Sequence, residues 1–311
     1  MQDPPLAAWL AAESEDLDDL WRRVLRRGIE PEERAATEDR LAAGMSRAAL
    51  LRELATSPEH DHLLRLDDAV AWAAAARRAG ERPRNLVAPA GVDERPIEIP
   101  WCLARYGGEP SVLDVGYAFA EPAYIVGLLG LGAPSLTGVD LVAAEVPGLR
   151  GVQADLRQLP FGNGEFDVAI AISTLEHVGQ DNSQYGLGVE HDDGSLDAAL
   201  RELRRVSSRL LVTVPTGTGE LLPEQAVHTP AEWIERFERA GFLVWEDELY
   251  ELGVDGWASV SSLSPDLFYG TRGPGASAVL CAELRPRRSS ARLRLAVRDR
   301  RYPGDARRVT A

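Results

Sequence analysis

The chain has no lysine: all 34 of its basic residues are arginine. A Walker A loop needs Gly-Lys-Ser/Thr, and a short-chain dehydrogenase needs a Tyr-x-x-x-Lys pair to poise its tyrosine. Schiff-base chemistry needs a side-chain amine. All three are excluded. Cysteine is nearly as scarce. Cys102 and Cys281 have no metal spacing and make no disulfide framework, so they read as small buried residues on or beside strands. No apolar run approaches the ~20 residues that span a bilayer, and no basic-then-apolar leader opens the chain, which reads as soluble and cytoplasmic. Positive charge is short overall. A formal net charge of −15 over 311 residues argues against a nucleic-acid partner for the body of the protein. Residues 286–311 are the exception, with nine arginines against two aspartates, so this +7 tail leaves the rest of the chain at −22. Such a tail could hold RNA or anionic lipid, but its composition predicts a solvated, disordered end, which can also fold back onto the acidic body. The lysine-free, alanine- and arginine-rich usage fits a GC-rich bacterial source.

What is present is enough apolar residue, 45%, for one full α/β core and an accessory piece. Residues 1–80 read as a small all-α domain. Leu17, Leu20, Trp21, Val24 and Leu25 fall at helical spacing. Leu41, Met45, Ala48, Leu51 and Leu54 do so again, with Ser46 to cap that run and Ser57-Pro58 to stop it. A third helix is expected over about 62–79. Residues 81–100, with Pro83, Pro89, Pro96 and Pro100, read as a linker that cannot continue a helix. From 101 to 285 the chain alternates. Strands are expected near 111–115, 136–140, 151–154, 166–172 and 209–214, and helices near 121–131, 195–207 and 230–241. That alternation predicts an α/β fold: a Rossmann-like, doubly wound, mostly parallel sheet with helices on both faces.

The chemistry-bearing stretch runs Val112-Leu-Asp-Val-Gly-Tyr-Ala-Phe-Ala-Glu-Pro122, then Leu136-Thr-Gly-Val-Asp140. Apolar run, acid, small-residue turn, helix, apolar run, acid: this is the βαβ pattern that lays a nucleoside-bearing cofactor across the carboxyl ends of parallel strands. A third acid, Asp155, follows in Val152-Gln-Ala-Asp-Leu156, and then the strand Asp167-Val-Ala-Ile-Ala-Ile-Ser173. In this order the motifs resemble the class I S-adenosylmethionine-dependent methyltransferases, especially the small-molecule branch with a Leu-Glu-His-Val segment after the fourth strand. The resemblance covers roughly residues 97–285. It implies an antiparallel edge hairpin from Leu243–Tyr250 and Ala278–Leu284. The pattern of Asp19–Glu32 and Ala43–Glu59 similarly resembles the phycobilisome-linker-like helical module, which implies a docking role for residues 1–80 toward a protein or glycan.

The resemblance implies S-adenosylmethionine as cofactor, and each acid has a physical task toward it. Asp140 can accept both ribose hydroxyl protons, with Leu141 beside it. Asp155 can accept from the adenine amine while the backbone of Leu156 reads a ring nitrogen. Asp114 and the Gly116 turn would hold the amino-acid end, and the sulfonium should sit near Ser173. The family pattern is Asp-x-Gly-x-Gly-x-Gly, and here Ala118 and Ala120 replace the later glycines. Either these alanines sit at positive φ at a cost of ~1–2 kcal/mol, or the loop runs at negative φ. Tyr117 and Phe119 could instead cover the methionine moiety.

At the reacting end stands Ser173-Thr-Leu-Glu-His-Val-Gly-Gln-Asp-Asn182. Methyl transfer to a hydroxyl needs alignment and removal of a proton. His177 is the expected base. Glu176 is expected to orient it, or to take a metal together with Asp181 or His191, although no tight metal-ligand spacing is present. Residues 253–275, with Trp257, Phe268 and Tyr269, read as a long irregular binding loop suited to a planar or sugar-like acceptor. The expected activity is O-methylation of a small molecule or glycan. The alternative is a binding or assembly protein that kept the fold and lost the chemistry. A nicotinamide-dependent enzyme is disfavoured by the missing lysine and by Asp155.

Overall fold

The computed structural model describes residues 16–183, 192 and 194–287. The basic tail from 288 onward, His191 and residues 1–15 lie outside the described residues.

Three short helices open it: α1 (Leu17–Val24), α2 (Pro31–Ala42) and α3 (Arg47–Ala55). The apolar run from Leu41 to Leu54 is divided between two helices at Gly44, whose φ of 102° only glycine adopts cheaply. Ser46 caps α3 as expected, its side chain accepting the Ala49 N–H. Leu17, Trp21, Val24, Leu50, Leu51 and Leu54 close a small core of their own.

The preceding helix stops before Ser57-Pro58 as expected, and the fourth helix, α4 (Pro58–Arg78), begins there, four residues earlier than the expected start near 62. Ser57 is its N-cap and Pro58 its first residue, where the missing N–H costs nothing. Leu66, Ala73 and Ala76 of α4 belong to the main core beneath the sheet. The 81–100 segment also differs from the expected linker. Arg95–Leu103 is a helix, α5, with Pro96 in its first turn and Pro100 inside it. An interior proline costs about 3 kcal/mol. Burial of Ile97, Ile99, Trp101, Cys102 and Leu103 outweighs that here.

The sheet then follows: β1 (Ser111–Val115), α6 (Pro122–Leu129), β2 (Ser135–Asp140), β3 (Arg150–Gln153), β4 (Val168–Ile172), α7 (Ser195–Val206) and β5 (Leu210–Pro215). After a small ribbon, β6 (Glu220–Leu221) with β7 (Ala226–Val227), come α8 (Pro230–Arg239), β8 (Phe242–Gly253), β9 (Gly256–Val260) and β10 (Ala278–Pro286). Strand order is β3-β2-β1-β4-β5-β10-β8-β9. The first five are parallel; β10 and β8 form the expected antiparallel edge. Side chains alternate across the sheet, Val112 joining the core under α4–α6 and Leu113 the core under α7 and α8. The order reverses between β1 and β4, and a crevice opens outside their carboxyl ends.

The 253–275 segment is less irregular than its glycines and serines imply. It contains the edge strand β9, and Trp257 is buried with its Nε1–H donated to the Val92 carbonyl. Trp257 is therefore core, not a binding-loop aromatic.

Candidate active site

A cleft of about 210 Å³ lies over the β1/β4 crevice. Gly116, Asp140, Leu141, Asp155, Leu156, Ser173 and His177, all expected site residues, line it together. Asp114, Ala118 and Glu176 do not.

Gly116 ends β1 at φ +87°, and a Cβ there would come within 2.5 Å of Thr174 Oγ1. Only glycine lets the β1 turn pass this close to the β4 turn. A one-turn helix, Tyr117–Phe119, follows, and among described non-glycine residues only Arg26, Asn85, Ser173 and Asp266 have positive φ. Ala118 and Ala120 thus sit at negative φ, and their methyl groups carry no backbone penalty. Tyr117 does not cover the cleft. It is buried, its hydroxyl accepts the Ala144 N–H and donates to the Ala144 carbonyl, and its ring fills the space left by Gly138, where a Cβ would meet it at 2.7 Å. Phe119 is exposed and does line the cleft.

Asp140, at the end of β2, accepts the Ala118 N–H on Oδ2 at 3.0 Å and the Val142 N–H on Oδ1 at 3.3 Å. Each oxygen keeps a further lone pair. Asp155 is more engaged: Arg157 reaches both of its oxygens, from Nε at 3.0 and 2.9 Å and from Nη2 at 2.6 Å. Burial alone would raise this carboxyl, but the Arg157 bonds hold it below the usual aspartate range. Asp114 departs from its expected role. It points into the core, accepts the Tyr124 hydroxyl on Oδ1, and leaves Oδ2 without a partner. Burial pushes its carboxyl up to about 7. Tyr124 lines the cleft, so Asp114 touches the site only through that phenol.

Ser173 takes a strained φ of 41° at the end of β4. Its N–H donates to the Thr213 carbonyl at 3.0 Å and its Oγ to Glu98 Oε1 at 2.7 Å. His177 closes the one-turn helix Leu175–His177. Its Nδ1 stands 2.7 Å from the Glu224 carbonyl, which can only accept, so Nδ1 carries the proton and Nε2 the lone pair. Burial lowers its pKa below the ordinary histidine value. Glu176 does not orient it: Oε1 lies 3.9 Å from Nε2, beyond hydrogen-bond reach. The positioning partner is the Glu224 carbonyl, and a backbone acceptor 47 residues away leaves no side-chain signal in sequence.

Glu176 instead joins Glu94, Glu98 and Arg95 beneath the cleft. Burial pushes Glu176 up to about 8 and Glu94 up to about 7. Arg95 Nη1 donates to Glu98 Oε2 at 2.6 Å while its side chain forms part of the cleft wall. Sequence reasoning missed Arg95 and Glu98 because their prolines hid the helix. Asp181 is occupied by the Ser183 N–H, and among the described residues no three His, Cys, Asp or Glu side chains gather as a metal site.

The residues fit S-adenosylmethionine at two points: a turn that admits no Cβ at Gly116, and an acid with unspent lone pairs at Asp140. Residues 113–209 match the family model described as "Methyltransferase domain". Over those residues the chain is similar to a methyltransferase domain, a family whose cofactor is S-adenosylmethionine. No curated protein matches the chain. The chain is also similar to solved structures at low identity. A Burkholderia thailandensis 1,6-didemethyltoxoflavin-N1-methyltransferase, with 1,6-didemethyltoxoflavin and S-adenosylhomocysteine bound, is 16% identical over 84% of this chain and 92% of its own, with TM-score 0.41. The CcbJ methyltransferase from Streptomyces caelestis is 14% identical over 61% of this chain and 88% of its own, with TM-score 0.40.

Proposed function

We propose that the chain is an S-adenosylmethionine-dependent methyltransferase acting on a hydroxyl of a small molecule or glycan. The observation that carries this reading is that Gly116, Asp140 and His177 line one cleft. The bound cofactor supplies a methyl group already activated by a sulfonium. Asp140 holds the ribose hydroxyls through its remaining lone pairs, with Leu141 and Leu156 flanking. Gly116 lets the backbone approach the amino-acid end. His177, its Nδ1–H fixed on the Glu224 carbonyl, accepts the hydroxyl proton at Nε2. Its lowered pKa keeps the ring neutral at neutral pH, so that Nε2 holds a lone pair rather than a proton.

Transfer of labelled methyl to a panel of phenols and sugars tests this. Product that depends on His177 supports the hydroxyl reading; transfer to amines alone, unaffected by His177→Ala, contradicts it.

One observation favours a second reading, a binding or assembly protein on a degenerate scaffold: Arg157 already engages both oxygens of Asp155. Its mark is the absence of any affinity for S-adenosylhomocysteine. The separate small core of α1–α3 supports a docking role for the N-terminal helices, the part that resembles a phycobilisome-linker-like module. No described helix is long and apolar enough to cross a membrane, in keeping with a proposed cytoplasmic location.

A further inference from the structure

Separate from the cleft, with no lining residue in common, an open groove of about 770 Å³ runs between α8 and the β8–β9 edge. Its floor is a row of apolar side chains crossing three strands. Val260 on β9 pairs with Leu249 on β8, which pairs with Leu280 on β10, and Ile234 of α8 faces them. Its rim is acidic: Glu235 and Glu238 from the helix, Asp247 from the strand, and no basic residue. Arg236 of the same helix turns away to pair with Asp197, and Arg239 approaches the same carboxylate. Among the described residues Glu235 and Asp247 form no ion pair, and both are exposed.

The last described residue lies at one end of this groove. The Arg287 N–H donates to the Gly241 carbonyl, its Nε to Phe242, and its Nη2 to Glu238, itself a rim residue. The chain beyond carries eight arginines against two aspartates over 288–311. Within it, Arg292-Leu-Arg-Leu-Ala-Val-Arg298 places Leu293, Leu295 and Val297 at every second position, the period at which an extended segment turns one apolar edge to a surface. The reach agrees. At ~3.3 Å per residue, residues 292–298 lie within about 16–36 Å of Arg287, and Asp247 and Leu249 stand about 16–23 Å along β8 from Phe242.

We propose that the α8/β8–β9 groove is the docking site of this chain's own residues 292–298, with Leu293, Leu295 and Val297 on the apolar floor and Arg292, Arg294 and Arg298 against Glu235 and Asp247. The carboxylates of the rim and the arginines of the segment are the complementary halves of one contact.

Limited trypsin digestion of the full chain, with cuts mapped by mass spectrometry, tests the assignment. Cleavage after Arg292, Arg294 and Arg298 should be slow in the native protein. It should rise about tenfold or more in the Glu235→Arg/Asp247→Arg variant, because cleavage tracks the undocked population. The Leu293→Ser/Leu295→Ser/Val297→Ser variant, which leaves the body untouched, should be cut equally fast. In about 1 M salt, where the Debye length shrinks to about 3 Å, protection should weaken. Equal cutting of native and variant chains overturns the proposal. Protection that disappears on dilution also overturns it, by assigning the groove to the tail of a second copy.

Discussion

The backbone N–H of Ala118 donates to Asp140 Oδ2 at 3.0 Å, joining the turn after β1 to the acid that ends β2. This bond explains how the turn departs from the glycine-rich pattern without loss of form. Ala118 sits in a one-turn helix at negative φ, so its methyl group is tolerated, and its N–H is fixed by the carboxylate proposed to hold the ribose. The glycine requirement falls on Gly116 alone.

Gly116→Ala should therefore be costly where Ala118 is not. A Cβ at φ +87° costs ~1–2 kcal/mol in backbone strain, and it would stand 2.5 Å from Thr174 Oγ1. We expect a drop in thermal midpoint and weaker S-adenosylhomocysteine binding. Thr174→Ala in the same chain should restore part of the stability, read by thermal denaturation, but not the backbone strain.

Replacing His177 separates binding from chemistry. His177→Ala should lower kcat about 10²–10⁴-fold while leaving S-adenosylhomocysteine affinity nearly unchanged. In the native enzyme the acid limb of kcat should inflect below the ordinary histidine value, because burial disfavours the protonated ring. A limb at or above that value would remove His177 as the base.

Stability should fall as pH rises, owing to the buried acids. Glu176 shifts from 4.5 to about 8 on folding, so between those values the folded state binds more protons than the unfolded state. Its stabilising contribution is present below pH 4.5 and is lost as pH climbs through about 8. Thermal midpoints taken across this range should decline, and Glu176→Gln should flatten the decline. An unchanged slope would show that Glu176 is ionised in the fold.

Much of the α/β architecture was legible because short apolar runs alternate with helical stretches, three of the runs ending in acids, and all five parallel strands fall within a few residues of their expected positions. The cleft's acids followed from that register. What escaped was set by tertiary burial. Pro96 and Pro100 argue locally against a helix, yet α5 forms because nearly every side chain on it is buried. Asp114 and Asp140 look alike as strand-end acids, but the pleat sends one into the core against Tyr124 and the other to the cleft. The partner of His177 is a carbonyl, which every residue possesses and no motif reveals.

Calorimetric titration with S-adenosylhomocysteine, on the native chain and on Asp140→Ala, tests the central claim most directly. Losing two charged hydrogen bonds of about 1.5–3 kcal/mol each should weaken binding a hundredfold or more. The native chain should bind with a dissociation constant of roughly micromolar order, and the variant should give no measurable heat. Equal affinity in both, or no heat and no thermal stabilisation of the native chain at high ligand, would contradict it.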